Sequence, residues 1–260
     1  MFTQTSNFCV KPLAFIILFG LSFGGLTNDK LKAEADPLSA QKTKAEFIPP
    51  KGSGIPKDPT TAGGTRPINC NDVYSCLIPL LPATTTKQLD YYPLTVSERP
   101  TVYVSLPRTS GTAVFTLYQH MPSAIKKIHR FSFPVKTSGG IISIAIPPSS
   151  PALQNDNTYE WTLSLNNESA KGLVRRVQLK PSLKQKISQA KPLEKLAIYA
   201  AEGIWYDSVA TLAELRSANP FDRNIFTAWS VFLDSVNLSG KLTKQNFISC
   251  CQVEDYSALR

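Results

Sequence analysis

Residues 159–165 read YEWTLSL, and every second side chain in the run is apolar: Tyr159, Trp161, Leu163 and Leu165 alternate with Glu160, Thr162 and Ser164. Successive side chains of an extended strand point to opposite faces, so this spelling gives one face to a core and the other to water. The same period recurs on both sides of it. TVYVSL aligns Val102, Val104 and Leu106; TAVFTLY aligns Ala113, Phe115 and Leu117. HRFSFPV aligns Phe131, Phe133 and Val135, and IISIAI aligns Ile142, Ile144 and Ile146. The last run, LVRRVQL, aligns Leu173, Val177 and Leu179 but is interrupted by Arg175, which predicts an edge strand. Six or seven such strands, separated by PRTSG, KTSGG and PPSSP, predict an antiparallel, Ig-like β-sandwich over residues 70–180. Between Thr101 and Leu179 there is no room for crossover helices, so a parallel sheet is not expected.

After Pro192 the period becomes helical. LEKLAIYAAEG brings Leu193, Leu196, Ala197, Ala200 and Ala201 to one stripe and ends at Gly203, a suitable C-terminal cap. IWYDSVATLAELRSANP places Trp205, Val209, Leu212 and Ala213 on one face and stops at Asn219-Pro220. A third helix, begun near Asp222 or Asn224, lines up Ile225, Trp229, Phe232 and Val236. A small α-helical subdomain of about three helices is therefore expected over 192–248, with a tail at 249–260. Tyr199, Gly203, Trp205, Ser208, Leu212 and Pro220 also fall at the offsets of a single tetratricopeptide-like hairpin. One such unit is too few for an array and is expected to pack on the rest of the chain.

Upstream, Lys11, the apolar run from Pro12 to Leu26 and the Ala33-Glu34-Ala35 site spell a secretory signal peptide over residues 1–35, cleaved before Asp36. The apolar run is short for a membrane span, and no other stretch is expected to cross one. Residues 36–69 are rich in Pro, Gly, Lys and Thr without apolar periodicity, which predicts a flexible spacer.

The formal charge is +9, and the excess is concentrated. Lys171, Arg175, Arg176, Lys180, Lys184, Lys186, Lys191 and Lys195 meet one acid, Glu194, and residues 181–191 read as a basic connector. Such a run suits an acidic polymer or a phosphate-bearing surface. It has no aromatic residue for bases to stack on, so nucleic acid is not the expected partner. Cysteines agree with export: once Cys9 is removed with the leader, Cys70, Cys76, Cys250 and Cys251 form an even set. At least one bridge is expected, either Cys70 to Cys76 or one from the start of the domain to its end.

Spelled-out chemistry is sparse. There is no G-x-S-x-G elbow, H-E-x-x-H, phosphate loop or calcium loop, and no Cys-x-x-Cys. No catalytic residue, cofactor or metal is expected. His129 lies on the apolar side of its strand and His120 in a polar, solvated loop. Glu202 and Asp207 are the one close carboxyl pair on structured elements, five positions apart across a helix break. A carbohydrate-active enzyme built on them is the alternative reading. In EGIWYDS, helical spacing sends Trp205 to the core and leaves Tyr206 free to face solvent as a contact residue.

GGTRPINC, PLTVSERPTVYVSLP, YEWTLSL with RRVQL, and YAAEGIWYDSVATLAELRSANP stand in this order. Together they resemble the cyanobacterial family known as domain of unknown function 928, over about residues 60 to 240. The resemblance implies a cyanobacterial cell-envelope protein of unestablished activity and carries over no catalytic residue. Relatives tend to place a Cys just after the Trp-bearing strand, where this chain has Asn166 and Asn167. The resemblance thus implies that Cys70 lacks its usual partner, with Cys76 or the Cys250/Cys251 pair as replacement.

The resulting expectation is an exported, periplasmic or envelope-bound, non-catalytic binding module for a protein partner or an acidic polysaccharide. A structural envelope spacer is a further alternative. Tyr206, Arg175, Arg176, Lys180, Lys184 and Lys186 are the expected contact surface.

Overall fold

The computed structural model describes residues 46–51, 76–82, 91–238 and 240–248. The predicted signal peptide, most of the spacer, Cys70, Cys250 and Cys251 lie outside the described residues. Among the described residues eight strands form two sheets: β1 (Ile78–Pro79), β2 (Leu94–Thr95), β3 (Thr101–Leu106), β4 (Thr109–His120), β5 (Ile125–Thr137), β6 (Gly140–Ala145), β7 (Thr158–Leu165) and β8 (Glu168–Arg176). One sheet has the order β1-β3-β6 and the other β2-β8-β7-β4-β5. The pairings between these strands are antiparallel except one, β2 running parallel to β8 at Leu94–Arg175 and Thr95–Arg176, and an isolated bridge from Ile141 to Phe247 is parallel as well. The wholly antiparallel expectation is corrected there. It weighed only connections between successive strands, whereas β2 reaches β8 with five strands of the chain between them. For the same reason β8 is not an edge strand; β2 and β5 are the edges of that sheet.

Leu106 pairs with Gly140 and Thr109 with Thr137, so β3/β6 and β4/β5 keep one register across two sheets. The chain from Thr101 to His120 and back from Ile125 to Ala145 is thus one long hairpin. It bends at Pro107-Arg108 on one arm and Ser138-Gly139 on the other. Strands that bend from one sheet into another make the corners of packed sheets. The open edge at β5 carries exposed Lys126, Lys127, Arg130 and Lys136, charges that oppose pairing with another chain.

The alternation that the sequence predicts for β7 is intact, with Tyr159, Trp161, Leu163 and Leu165 buried and their neighbours half-buried. In β3 it is not: Tyr103 and Ser105 are buried as well as Val102, Val104 and Leu106. The second face is covered by the C-terminal segment. The Phe247 ring meets Tyr103 edge-on at 6.2 Å and Trp229 at 5.3 Å. The Ser105 hydroxyl donates to Gln245 Oε1 at 2.6 Å, and the Ile141 N–H donates to the Asn246 carbonyl at 2.9 Å.

Four helices follow the strands: α1 (Pro181–Gln189), α2 (Pro192–Ala201), α3 (Trp205–Ala218) and α4 (Arg223–Asp234), with a 3₁₀ turn over Gly240–Lys244. One more helix forms than the expected three, because the basic connector is itself helical. Pro181 presets its first turn, and Leu183 with Ile187 gives one i,i+4 pair, of which Ile187 is buried. The expected cap at Gly203 is present, with the Ile204 N–H donating to the Tyr199 carbonyl at 2.9 Å and φ at +71°. A side chain there would also meet the Pro50 ring at 2.7 Å. That contact belongs to residues 46–51, which the sequence assigned to the flexible spacer. Phe47 is only 3% exposed, its ring 5.0 Å from Trp205 and 6.2 Å from Phe232. A single aromatic in a Pro-rich stretch gives no periodicity, so the sequence carries no signal of this docking. One hydrophobic cluster runs from both sheets through Phe47 into α2, α3 and α4.

Gly172 stands directly across from Trp161 in the β7/β8 pair. A Cβ at that position would lie 2.2 Å from the Leu81 side chain and 2.7 Å from the indole. Gly172→Ala should therefore destabilise by about 1–3 kcal/mol, as overpacking of a filled core does. Urea unfolding checks this; an unchanged midpoint would mean the indole does not occupy that space.

Candidate functional site

The polar atoms of the interior converge on the first turn of α3. Trp205, Tyr206 and Asp207 are successive residues, and each fastens the helix to a different part of the β structure. The Trp205 indole N–H donates to the Leu80 carbonyl, just past β1, at 3.0 Å. The Tyr206 hydroxyl accepts the Trp161 indole N–H from β7 at 2.8 Å and donates to the Leu173 carbonyl of β8 at 2.7 Å. Asp207 Oδ2 accepts the Thr95 hydroxyl at 2.9 Å and the Val96 N–H at 3.1 Å, holding β2. A carboxylate in the first turn also faces the positive end of its own helix dipole.

Tyr206 is 4% exposed, so its predicted role as a solvent-facing contact is corrected. Counting helical steps puts the residue after a buried one towards water, but this turn is inserted among strands and only its Asp207 side stays partly open. Trp205 is buried as expected. Burial pushes the Tyr206 phenol above its ordinary range, and the Trp161 hydrogen bond pulls the other way. Burial likewise raises the Asp207 carboxyl, while the Val96 N–H and the Thr95 hydroxyl lower it. Asp207 as a residue is only half-buried; its carboxylate end is the enclosed part. A hydroxyl that both accepts and donates and a carboxylate oxygen with two donors are groups that hold structure.

The predicted basic residues separate. Arg176 is committed within the chain: its guanidinium donates to the Leu153 carbonyl and pairs with Glu98 at 3.1 Å. It is corrected as a contact residue. Arg175 lies 5.9 Å over the Tyr92 ring. It lines a depression of about 460 Å³ with Lys51, Asp156 and Glu202, whose charges are mixed. Lys180, Lys184 and Lys186 are exposed at and along α1. Glu202 lines the depression at Arg175, whereas Asp207 lines a groove of about 400 Å³ between α2 and α3, with Lys195, Tyr199 and Glu214. The two carboxyls of the enzymatic alternative thus line different hollows, and the Asp207 carboxylate is committed to Thr95 and Val96.

His120 is corrected too. It is the last residue of β4 rather than a loop residue, and its Nε2 lies 3.6 Å from Glu160 Oε2. The β4 run TAVFTLY continues for two more polar residues, which carry no apolar signal. His129 is half-buried with its ring 5.7 Å from Phe131, as its place on the apolar side predicts. Cys76 is buried at the head of β1. Among the described residues no cluster of three or more His, Cys, Asp or Glu is placed to hold a metal ion, and no helix is long and apolar enough to cross a membrane.

The raised carboxyl of Asp207 has a measurable consequence. A folded-state pKa above the unfolded value of about 3.9 means that the folded chain holds the proton more tightly. The stability this contributes is complete below the unfolded value and is lost as pH rises through the raised one. Asp207→Asn keeps an acceptor for Thr95 and Val96 and cannot ionise. It should be as stable as the parent or more so at pH 8, with the difference shrinking towards pH 4. Asp207→Ala strands two donors and should cost about 1–3 kcal/mol at both. A parent-to-Asn difference that is flat with pH would show that the carboxyl is not desolvated.

No curated protein matches this chain. The family model described as Domain of Unknown Function (DUF928) matches residues 61–247, a span from ahead of β1 through Phe247 that takes in both sheets and all four helices. The chain belongs to the DUF928 family.

Proposed function

We propose that this is an exported, cell-envelope binding protein of cyanobacterial type that uses α1 to hold an acidic glycan. In this reading the two sheets form an Ig-like sandwich, α2 and α3 a tetratricopeptide-like pair, and both serve as scaffold. The observation that carries the proposal is the character of α1. It has nine residues, no acid, one buried side chain, and Lys184 and Lys186 exposed, with Lys180 at its head and Lys191 just beyond. A helix that buries so little contributes little to the fold, and its uncompensated cations attract a polyanion along its length. Lys180 and Lys184, one turn apart, share a face. The depression at Arg175 is the weaker candidate because Asp156 and Glu202 oppose its two cations. In this reading Cys76, buried at the head of β1, is one end of the expected bridge, which suits an oxidising compartment.

Binding of the purified protein to polygalacturonate, with neutral dextran as the control, tests this. The expected result is retention on the acidic polymer alone, weakening as salt rises. The triple variant Lys180→Glu, Lys184→Glu, Lys186→Glu should bind at least tenfold more weakly with unchanged unfolding. Equal binding by parent and variant would remove α1 from the reading, and no binding to the acidic polymer would remove the glycan.

A further inference from the structure

The outer face of α4 is unusual in two ways. Ile225, Ala228, Trp229, Phe232 and Leu233 are buried, yet Phe226 and Val231 are 42% and 41% exposed, and Phe221 just ahead of the helix is 96% exposed. The Arg216 guanidinium, 5.0 Å over the Phe226 ring, holds that ring in place at the surface. The two charges within the helix, moreover, are placed against its own dipole, while the N-cap Asp222, which accepts from the Asn224 and Ile225 N–H groups, agrees with it. Arg223 stands at the first position, where an anion is favoured, and Asp234 at the last, where a cation is favoured. Both are exposed, and neither is in an ion pair among the described residues.

This arrangement is self-complementary. On α4, Arg223, Thr227, Ser230 and Asp234 follow at steps of four, three and four and so share one stripe, flanked by Phe226 on one side and Val231 on the other. Turned about a two-fold axis level with Ala228 and Trp229, an antiparallel copy sets Arg223 opposite the partner's Asp234, and Asp234 opposite the partner's Arg223. Thr227 falls opposite the partner's Ser230, small residues that let two helix axes approach. Each charge then sits at the end of the partner helix whose dipole favours it. We propose that the protein forms a two-fold homodimer through α4 packed antiparallel on α4. A 12-residue helix is about 18 Å long and buries less than a standard interface, so the dimer is expected in the micromolar range.

Sedimentation velocity across micromolar concentrations tests the pairing and its register together. The parent should pass from monomer to dimer. Arg223→Asp alone and Asp234→Arg alone each place two like-charge pairs in the dimer, and each should stay monomeric at concentrations at least tenfold above the parent midpoint. Mixed one to one, the two variants restore both opposite-charge pairs and should dimerise like the parent, which also shows that both are folded. Val231→Glu should weaken the parent dimer without affecting unfolding. A parent that stays monomeric, single variants that dimerise like the parent, or a mixture that stays monomeric would each overturn the proposal.

Discussion

The fold turns on the hydrogen bond from the Trp161 indole to the Tyr206 hydroxyl and its continuation to the Leu173 carbonyl. All three groups are buried, so an absent partner would leave a desolvated polar atom, an expensive outcome in a core. The relay therefore fixes where α3 enters the sheet as well as that it does. Gly172 completes the arrangement by leaving the space opposite Trp161 that the indole fills. With Trp205 on the Leu80 carbonyl and Asp207 on β2, one helical turn ties together chain segments from residue 80 to residue 207.

From that anchor the rest of the layering follows. The bent hairpin of β3–β6 supplies strands to both sheets, so the two cannot slide independently. The three-stranded sheet is too small to bury both faces against the larger one, and its second face is closed by Phe247, Gln245 and the helices behind them. The helical part is consequently a layer of the same core and not an appendage, and Phe47 adds a clasp from far upstream.

Strands β3 to β7 were legible because apolar residues recur at alternate positions within them, and α2 to α4 because their stripes repeat at three and four. β8 was read too far along the chain, since the alternation of Leu173, Val177 and Leu179 runs past its end at Arg176 and its buried residues, Ala170, Leu173 and Val174, have no period of two. What could not be read were features without a period. β1 and β2 have two residues each, too few to alternate. Phe47 is a lone ring among prolines, and α1 carries one apolar pair in a lysine-rich run. Tyr206 and Arg176 were assigned to solvent by residue type and step count, and both are absorbed by partners that only the tertiary structure brings near. Asp207 stood out only as half of a carboxyl pair with Glu202, and nothing local pointed to Thr95 and Val96 as its partners.

The segment EGIWYD, which carries much of the family likeness, is therefore consumed by packing: Gly203 admits Pro50, and the next residues are bonded to strands. A signature of this kind specifies an architecture and leaves chemistry unstated. Function in such a chain has to be sought where side chains are neither buried nor committed, because only those groups are available to another molecule. That criterion removes the buried side chains of the first turn of α3 and Arg176, and among the groups it retains are the β5 edge and two outward helical faces. On α1 the retained groups are cations without acids, which fits a polyanion. On α4 they are apolar residues between charges of opposite sign, which fits the same face of a second chain. The two surfaces differ in what they can recognise, so occupation of one does not require the other to be empty.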